Sequence, residues 1–334
     1  MKSKSASTNG TRTLTPEEIA RRADVKIPPL LLPKPASVFA DRALRLRQQA
    51  AGHAMRDYLM LLAVICEAQH ELLQNHPQVP LPDDEQVAAA RENSTPLLAT
   101  GQWQRDPAWR AQLQLLLAQV LEKLPADSPA RDGIQRVRDL PVETLEQQAE
   151  RLLAGITLGL DMATAPLIAA GLQLYWTHLA AATAVSNPGA WHIPFEPNRC
   201  PCCGSLPAVS ITRIRGKLEG QRYLVCSLCS SQWHFMRVKC THCSSLESIR
   251  FRSLQPIEQQ ELGDKRAVIE AETCDKCQHY LKTMHMDLDP QIEPMADDLA
   301  SLTLDLLTSD AGYIRYGNNL LLLFGENQPQ VEEA

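Results

Sequence analysis

Cys200-Pro201-Cys202-Cys203-Gly204-Ser205 opens a stretch whose later landmarks are Cys226-Ser227-Leu228-Cys229, Cys240-Thr241-His242-Cys243 and Cys274-Asp275-Lys276-Cys277. Each landmark holds a C-x-x-C pair. Two intervening residues let both sulfurs reach one ion, while the knuckle's backbone N–H groups can face the thiolates. Gly204 permits the tight turn that such a knuckle makes. Nine of the ten cysteines lie between positions 200 and 277, and the polar N-terminus carries no secretory signal. The pattern therefore reads as metal binding or redox chemistry rather than a disulfide framework.

Pairing the knuckles in sequence order predicts two tetrahedral sites, Cys200, Cys203, Cys226 and Cys229 in the first, Cys240, Cys243, Cys274 and Cys277 in the second. An interleaved cross-brace, with the first and third pairs sharing an ion, is the alternative. Four thiolates suit zinc(II) or a single iron, and spacing alone does not choose between them. Zinc would make the modules structural; iron would make them redox-active and rubredoxin-like. Cys202, between two ligands, reads as a filler thiol pointing away from the metal, with an alternate ligand as the sharper reading. Cys66 lies on an apolar helix and reads as core. Eight thiolates complete both sites, so His192, His234, His242, His279 and His285 are expected around them or at the surface. Trp233 and Tyr280 are expected to cover the metal.

Short β-like runs occupy 208–214, 222–225, 233–238, 248–254 and 267–272, between or beside the knuckles. Knuckle, hairpin, knuckle then repeats, a weak internal repeat in which metal replaces a hydrophobic core. The residues between Cys229 and Cys240 read as a linker.

Upstream, Ile27-Pro28-Pro29-Leu30-Leu31-Leu32-Pro33-Lys34-Pro35 is an extended strap that cannot be helix. Its leucines are expected to pack on the domain that follows. Residues 36–186 show helical periodicity, including a helix over about 57–75 and one opened by Asp106-Pro107 with Trp109, Leu113, Leu116, Val120 and Leu124 on one face. Thr164-Ala165-Pro166 opens a long apolar helix. Asp161, Pro166, Gln173 and His178 interrupt this region, so it reads as a buried bundle helix and not a membrane span. Five to seven helices are expected in all. Downstream, a helix over 295–307 would carry Ala296, Leu299, Leu302 and Leu306 on one face, with Asp297-Asp298 as a first-turn dipole pair. The tail with Tyr313, Tyr316 and the 320–324 run is expected to dock back.

Charge bears on function. The chain carries 33 Lys/Arg against 39 Asp/Glu, a formal net charge of -6. Between positions 199 and 290 the count is 13 against 10, and two divalent tetrathiolate sites at -2 each bring that region near -1. Arg213, Arg215, Lys217, Arg237, Lys239, Arg250 and Arg252 thus lack the surplus a phosphate backbone demands. They read as solvated strand faces or a protein-docking surface. No nucleophilic triad, glycine-rich phosphate loop or carboxylate pair stands out.

The knuckles sit in a wider pattern. Cys200-Pro201-Cys202-Cys203-Gly204-Ser205, Arg222-Tyr223-Leu224 before Cys226-Ser227-Leu228-Cys229, Trp233-His234, Arg237-Val238-Lys239-Cys240, Glu272-Thr273-Cys274-Asp275 and Tyr280-Leu281-Lys282 closely resemble the formate dehydrogenase accessory protein FdhE family. Ile27-Pro28-Pro29-Leu30-Leu31, Asp57-Tyr58-Leu59 and Ala296-Asp297-Asp298-Leu299-Ala300 resemble it too, so the likeness runs from about residue 26 to the end. Cys202 departs from the family pattern, which has another residue there.

The resemblance implies a multidomain α and β fold: an α-helical N-terminal domain, a double rubredoxin-like (zinc-ribbon-like) four-cysteine module and a C-terminal helix. The expected division is a disordered 1–25, a helical domain over 26–190, modules over 198–238 and 239–286, and a helix and tail over 287–334. It further implies a non-catalytic, cytoplasmic maturation factor holding two mononuclear iron sites, zinc being the alternative. Its partner would be the catalytic subunit of a molybdenum- and selenocysteine-containing respiratory formate dehydrogenase, bound before twin-arginine export. Neither nucleic acid nor membrane is expected as a partner, and a homodimer is left open. The competing readings are a small electron-transfer protein with Fe(Cys)4 sites and a zinc-ribbon nucleic-acid binder, the latter disfavoured by charge.

Overall fold

The computed structural model describes residues 27–193, 197–213, 220–254 and 266–323. The expectations for residues 1–25, Ile214, Arg215, Lys217 and Phe324 fall outside these. Among the described residues, seven helices precede the cysteines: α1 (Val38–Ala50), α2 (Arg56–Gln74), α3 (Asp84–Glu92), α4 (Ala108–Lys123), α5 (Ala130–Arg138), α6 (Val142–Ala154) and α7 (Ala165–Ser186). Local chemistry sets their ends. Asp106 Oδ1 accepts the Ala108 N–H at 2.8 Å where α4 begins, and Pro107 has no N–H to satisfy. Gly155 ends α6 at φ 71°, in the left-handed region. Trp109, Leu113, Leu116 and Val120 share one face of α4, and all are fully buried. The helix α7 is buried on nearly every side. Gly171 lets α4 approach it closely, since a Cβ there would lie 2.9 Å from Leu113. Among the described residues no helix is long and apolar enough to cross a membrane.

The strands are β1 (Leu30–Leu31), β2 (Pro207–Thr212), β3 (Arg222–Cys226), β4 (Gln232–His234), β5 (Ile249–Arg252), β6 (Ile269–Cys274), β7 (His279–His285) and β8 (Ile314–Arg315). They form one sheet in the order β1-β4-β3-β2-β7-β6-β5, with β8 also pairing with β7. The weak repeat is thus geometric: β4-β3-β2 and β7-β6-β5 are three-stranded copies in the same order. They join where β2 runs parallel to β7, Ser210 opposite Thr283 and Thr212 opposite His285.

Several expectations need correcting. The segment between Cys229 and Cys240 is no free linker, because it contains β4. Phe235 is buried there, and Arg222 Nη1 donates to the Met236 and Lys239 carbonyls at 3.3 and 3.1 Å. The strap packs on the helical core through Leu30 and Leu32 as expected, and Leu30 and Leu31 also pair with Trp233 and Gln232 as the outermost strand, just over 200 residues downstream in sequence. Strand β7 escaped the sequence reading because His279, Lys282 and His285 interrupt its apolar pattern. Lys282 is fully buried, and its ammonium reaches Asp305 Oδ2 at 2.5 Å, Asp298 Oδ1 at 2.8 Å and Ser301 Oγ at 3.0 Å.

The C-terminal helix is two helices, α8 (Pro294–Ala300) and α9 (Leu302–Asp310), broken at Ser301. Leu306 is exposed, whereas Leu304, Asp305 and Thr308 face inward. Tyr280 and Lys282 claim Asp305 and so choose the buried face. Asp297 stands in the first turn of α8 as expected, Asp298 lies beyond it, and both are buried in ion pairs, 1% and 2% exposed. Asp297 accepts from Arg45 and Gln49 of α1, while Asp298 takes both oxygens to Arg315 at 2.8 Å. The tail docks as expected, with Leu321 fully buried and Tyr58 donating its hydroxyl to the Leu321 carbonyl.

One hydrophobic cluster runs from Phe39, Leu62, Leu113 and Trp176 straight into Cys200, Cys203, Cys226, Cys229 and Trp233. The first cysteine centre therefore completes the core of the helices, while Ala208, Val209, Ile211, Tyr223 and Val225 of β2 and β3 form a second cluster with Met284, Ile292 and Met295.

Candidate metal centres

The knuckles group in sequence order, which excludes the cross-brace. The sulfurs of Cys200, Cys203, Cys226 and Cys229 lie within 4.8 Å of one another, as do those of Cys240, Cys243, Cys274 and Cys277. In the first set Cys200–Cys229 and Cys203–Cys226 are each 3.5 Å apart; in the second, Cys240–Cys277 and Cys243–Cys274 are each 3.7 Å apart. Metal–sulfur bonds of ~2.3 Å give tetrahedral edges of ~3.8 Å, against ~2.0 Å for a disulfide. All ten cysteines are free. Either set could hold a metal ion.

The backbone explains how each knuckle closes. The residue after its second cysteine has positive φ every time: Gly204 78°, Ser230 58°, Ser244 60° and Gln278 56°. The amides of Gly204, Ser244 and Gln278 then return to the carbonyls of Cys200, Cys240 and Cys274 at 2.8–3.0 Å. One position later stand Ser205, Ser231 and Ser245, and in the fourth knuckle His279. This C-x-x-C-x-S pattern of three knuckles is legible in the sequence.

The two centres have different surroundings. The four ligand candidates of the first are fully buried. Ser205 Oγ lies 3.4 Å from Cys203 Sγ, and Ser231 Oγ lies 3.3 Å from Cys229 Sγ, placed to donate to thiolates. The helical domain closes over it. Leu98 and Thr100 donate their amides to the Cys202 and Cys203 carbonyls at 2.8 and 3.1 Å, and Gln173 of α7 donates to the Ser227 carbonyl at 2.7 Å. From the tail, the Leu320 amide reaches Ser227 Oγ at 2.9 Å. Burial pushes the Cys200 and Cys226 thiols up. Cys229 is equally buried, yet donation from the thiols of Cys200, Cys202, Cys203 and Cys226 holds it well below its usual range. Cys202 is buried and belongs to neither four-sulfur set, but its thiol faces Cys200 and Cys229 and does not point away from the centre as expected.

The second centre opens outward. Cys240 and Cys274 are buried, but Cys243 and Cys277 are partly exposed. Ser245 Oγ turns away to the Glu247 carbonyl. The rings of His242 and His279 stack at 3.7 Å with an interplanar angle of 6°, and Tyr316 meets His242 edge-on. Tyr280 lines the space beside this centre, as expected of a cover, with its hydroxyl donated to Asp305. Trp233 lies in the common core together with the four cysteines of the first centre and donates Nε1 to the Pro197 carbonyl at 2.7 Å. Of the other histidines, His192 is exposed, His234 meets Gln221 and His285 pairs with Glu270 at 2.8 Å.

Some basic residues expected on a docking face are tied down locally: Arg213 to Gln232, Arg250 to Asp275 and Arg252 to Tyr313. Arg222, which the sequence shows only as part of a strand motif, is buried, donates to Ser210 Oγ at 2.8 Å, and pairs with Glu272 at 3.1 Å, bridging the two three-stranded copies.

Three family models match the chain in order: FdhE, N-terminal over 27–187; FdhE, central domain over 199–237; and FdhE, C-terminal domain over 238–322. A "Protein FdhE homolog" of Pseudomonas aeruginosa is 37% identical over 316 residues, covering 93% of this chain and 98% of the relative. The chain belongs to the FdhE family. A "Protein FdhE" of Escherichia coli (strain K12) is 36% identical over 310 residues, covering 92% of this chain and 95% of the relative. The crystal structure of the FdhE protein from Pseudomonas aeruginosa aligns with TM-score 0.78 at 37% identity, over 90% of this chain and 100% of that one. The central FdhE match encloses Cys200, Cys203, Cys226 and Cys229, with Cys202, and the C-terminal FdhE match encloses Cys240, Cys243, Cys274 and Cys277. The two candidate centres thus fall in separate FdhE segments while their strands share one sheet.

Proposed function

We propose that this chain is a non-catalytic accessory protein in formate dehydrogenase maturation, binding the enzyme's catalytic subunit in the cytoplasm before export. Membership of the FdhE family along nearly the whole described chain supports this reading more than any other observation. Within it, Cys200, Cys203, Cys226 and Cys229 hold one ion and Cys240, Cys243, Cys274 and Cys277 another. Iron is the preferred metal and zinc the alternative; a soft, tetrahedral thiolate set accepts both. The division into a helical domain over 26–190, modules over 198–238 and 239–286, and a C-terminal segment from 287 belongs to the same reading. The helical domain and the thiolate sheet act as one rigid body, because the first centre lies inside their common core.

Formate dehydrogenase activity in a strain lacking the chain, complemented with Cys226→Ser or Cys243→Ser, tests the proposal. Loss of client activity, with co-purification of the catalytic subunit by the unaltered chain, is expected. Full activity from a folded Cys243→Ser variant would sink it.

The partly exposed Cys243 and Cys277 favour a second reading, electron transfer through an iron centre near the surface. Anaerobic purification with metal analysis and visible spectra separates the two: a colourless zinc protein removes the redox role and leaves docking standing.

A further inference from the structure

We infer that the two centres are kinetically distinct: the first retains its ion until the fold opens, and the second exchanges its ion through a gate formed by His242, His279 and Cys277. The inference rests on the metal-binding reading above and adds a site to it.

Enclosure is the first observation. An ion leaves a tetrathiolate site by stepwise replacement of its thiolates, and each replacement needs an incoming ligand with access to the metal. At the first centre all four cysteines are 0% exposed. Helix α7, the 98–100 segment and the tail hydrogen-bond to its knuckles, so no ligand enters without parting the main core. Ser205 and Ser231 also stand ready to stabilise its thiolates. At the second centre Cys243 and Cys277 reach solvent, and neither serine position offers the same support.

The third cluster is the second observation. His242, Cys277 and His279 place one ligand atom each within 4.8 Å of the others, and His242 is exposed. His279 occupies the position that is serine in the other three knuckles. Its Nδ1 lies 2.7 Å from the Cys277 carbonyl oxygen, so Nε2 is the ring nitrogen left to face an ion. Cys277 belongs both to this trio and to the second four-cysteine set, so an ion held by the trio already has one of its final ligands. The stacked rings cannot both direct a lone pair at one ion from parallel planes 3.7 Å apart. An ion at the trio therefore takes Cys277 and one imidazole at a time, with exposed His242 lining the way in. Imidazole and thiolate select a borderline divalent cation such as Zn2+, Fe2+ or Co2+ over Mg2+ or Ca2+.

The full chain loaded with Zn2+ and mixed with excess 4-(2-pyridylazo)resorcinol tests the inference through the absorbance of the released ion. Two phases of one equivalent each are expected, separated by about tenfold or more in rate. Cys243→Ser should remove the fast phase and leave the slow one. His242→Ala/His279→Ala should still bind two ions and keep the slow phase, with the fast phase slowed severalfold. A single release phase, or an unaltered fast phase in the double histidine variant, overturns the inference. A chain that binds no ion overturns the metal-binding reading as well, whereas two ions released together overturn this inference alone.

Discussion

Gln173, in the middle of the long helix α7, donates its side-chain amide to the main-chain carbonyl of Ser227, inside a knuckle of the first centre, at 2.7 Å. Both residues are buried, and Gln69 joins them through Gln173 Oε1 at 3.4 Å. A polar residue in an otherwise apolar helix is thereby explained: it satisfies a carbonyl that the knuckle turns toward the helical core.

Gln173→Leu keeps the volume and removes the donor, leaving the Ser227 carbonyl buried without that partner. A loss of about 1–3 kcal/mol in unfolding free energy is expected. Urea denaturation of the metal-loaded chain measures it, and an unchanged midpoint would show that the contact carries no stability.

Metal removal should act unequally on the two halves. Structural zinc sites contribute roughly 10–16 kcal/mol of apparent binding energy that is also folding energy. Cys226→Ser should lower metal content by one equivalent and melt the helices, because Cys226 shares their core. Cys243→Ser should also lower it by one but leave helical circular dichroism intact. Equal thermal destabilisation in the two variants would contradict the shared core.

Acid should loosen the C-terminal clamp. Burial alone would push the Asp298 carboxyl up, but Arg315 and Lys282 more than offset it, and its pKa lies below the ordinary carboxylate value. A depressed folded pKa stabilises above the unfolded value of ~3.9, and the contribution is lost as pH falls from there through the folded pKa. Stability attributable to Asp298 should therefore be flat at neutral pH and decline only below about pH 4. Asp298→Asn should cost about 3–5 kcal/mol at neutral pH, since Lys282 and Arg315 stay buried with Asp305 alone, and should flatten the acid limb. Denaturation curves from pH 3 to 7 for both proteins check this.

The knuckle turns carry backbone strain that glycine would relieve. Ser244 has φ 60° where the first knuckle has Gly204. A non-glycine residue in the left-handed region costs about 1–2 kcal/mol, so Ser244→Gly should stabilise by about 1 kcal/mol and Gly204→Ala should destabilise by a similar amount. Thermal melts of the metal-loaded variants decide it; a lower melting temperature for Ser244→Gly would assign the serine a compensating contact.

The sequence by itself determined what depends on neighbours along the chain. Two-residue spacing makes a knuckle, and the order of the knuckles predicts the two sulfur sets. Periodicity located the apolar faces of α2 and α4 and the buried course of α7, because burying one stripe of a helix is a local demand. Tertiary structure decided everything that needs a distant partner. Strand β7 looks too polar until Asp298 and Asp305 neutralise Lys282. Asp297 looks like a surface residue until Arg45, 252 positions away, is folded against it. The strap becomes a strand only when β4 offers an edge. The two cysteine sets share the C-x-x-C spacing, and packing decides their exposure: the helices and tail close over the first and leave the second at the surface. Burial is a property of what the rest of the chain does, and no spacing between cysteines encodes it.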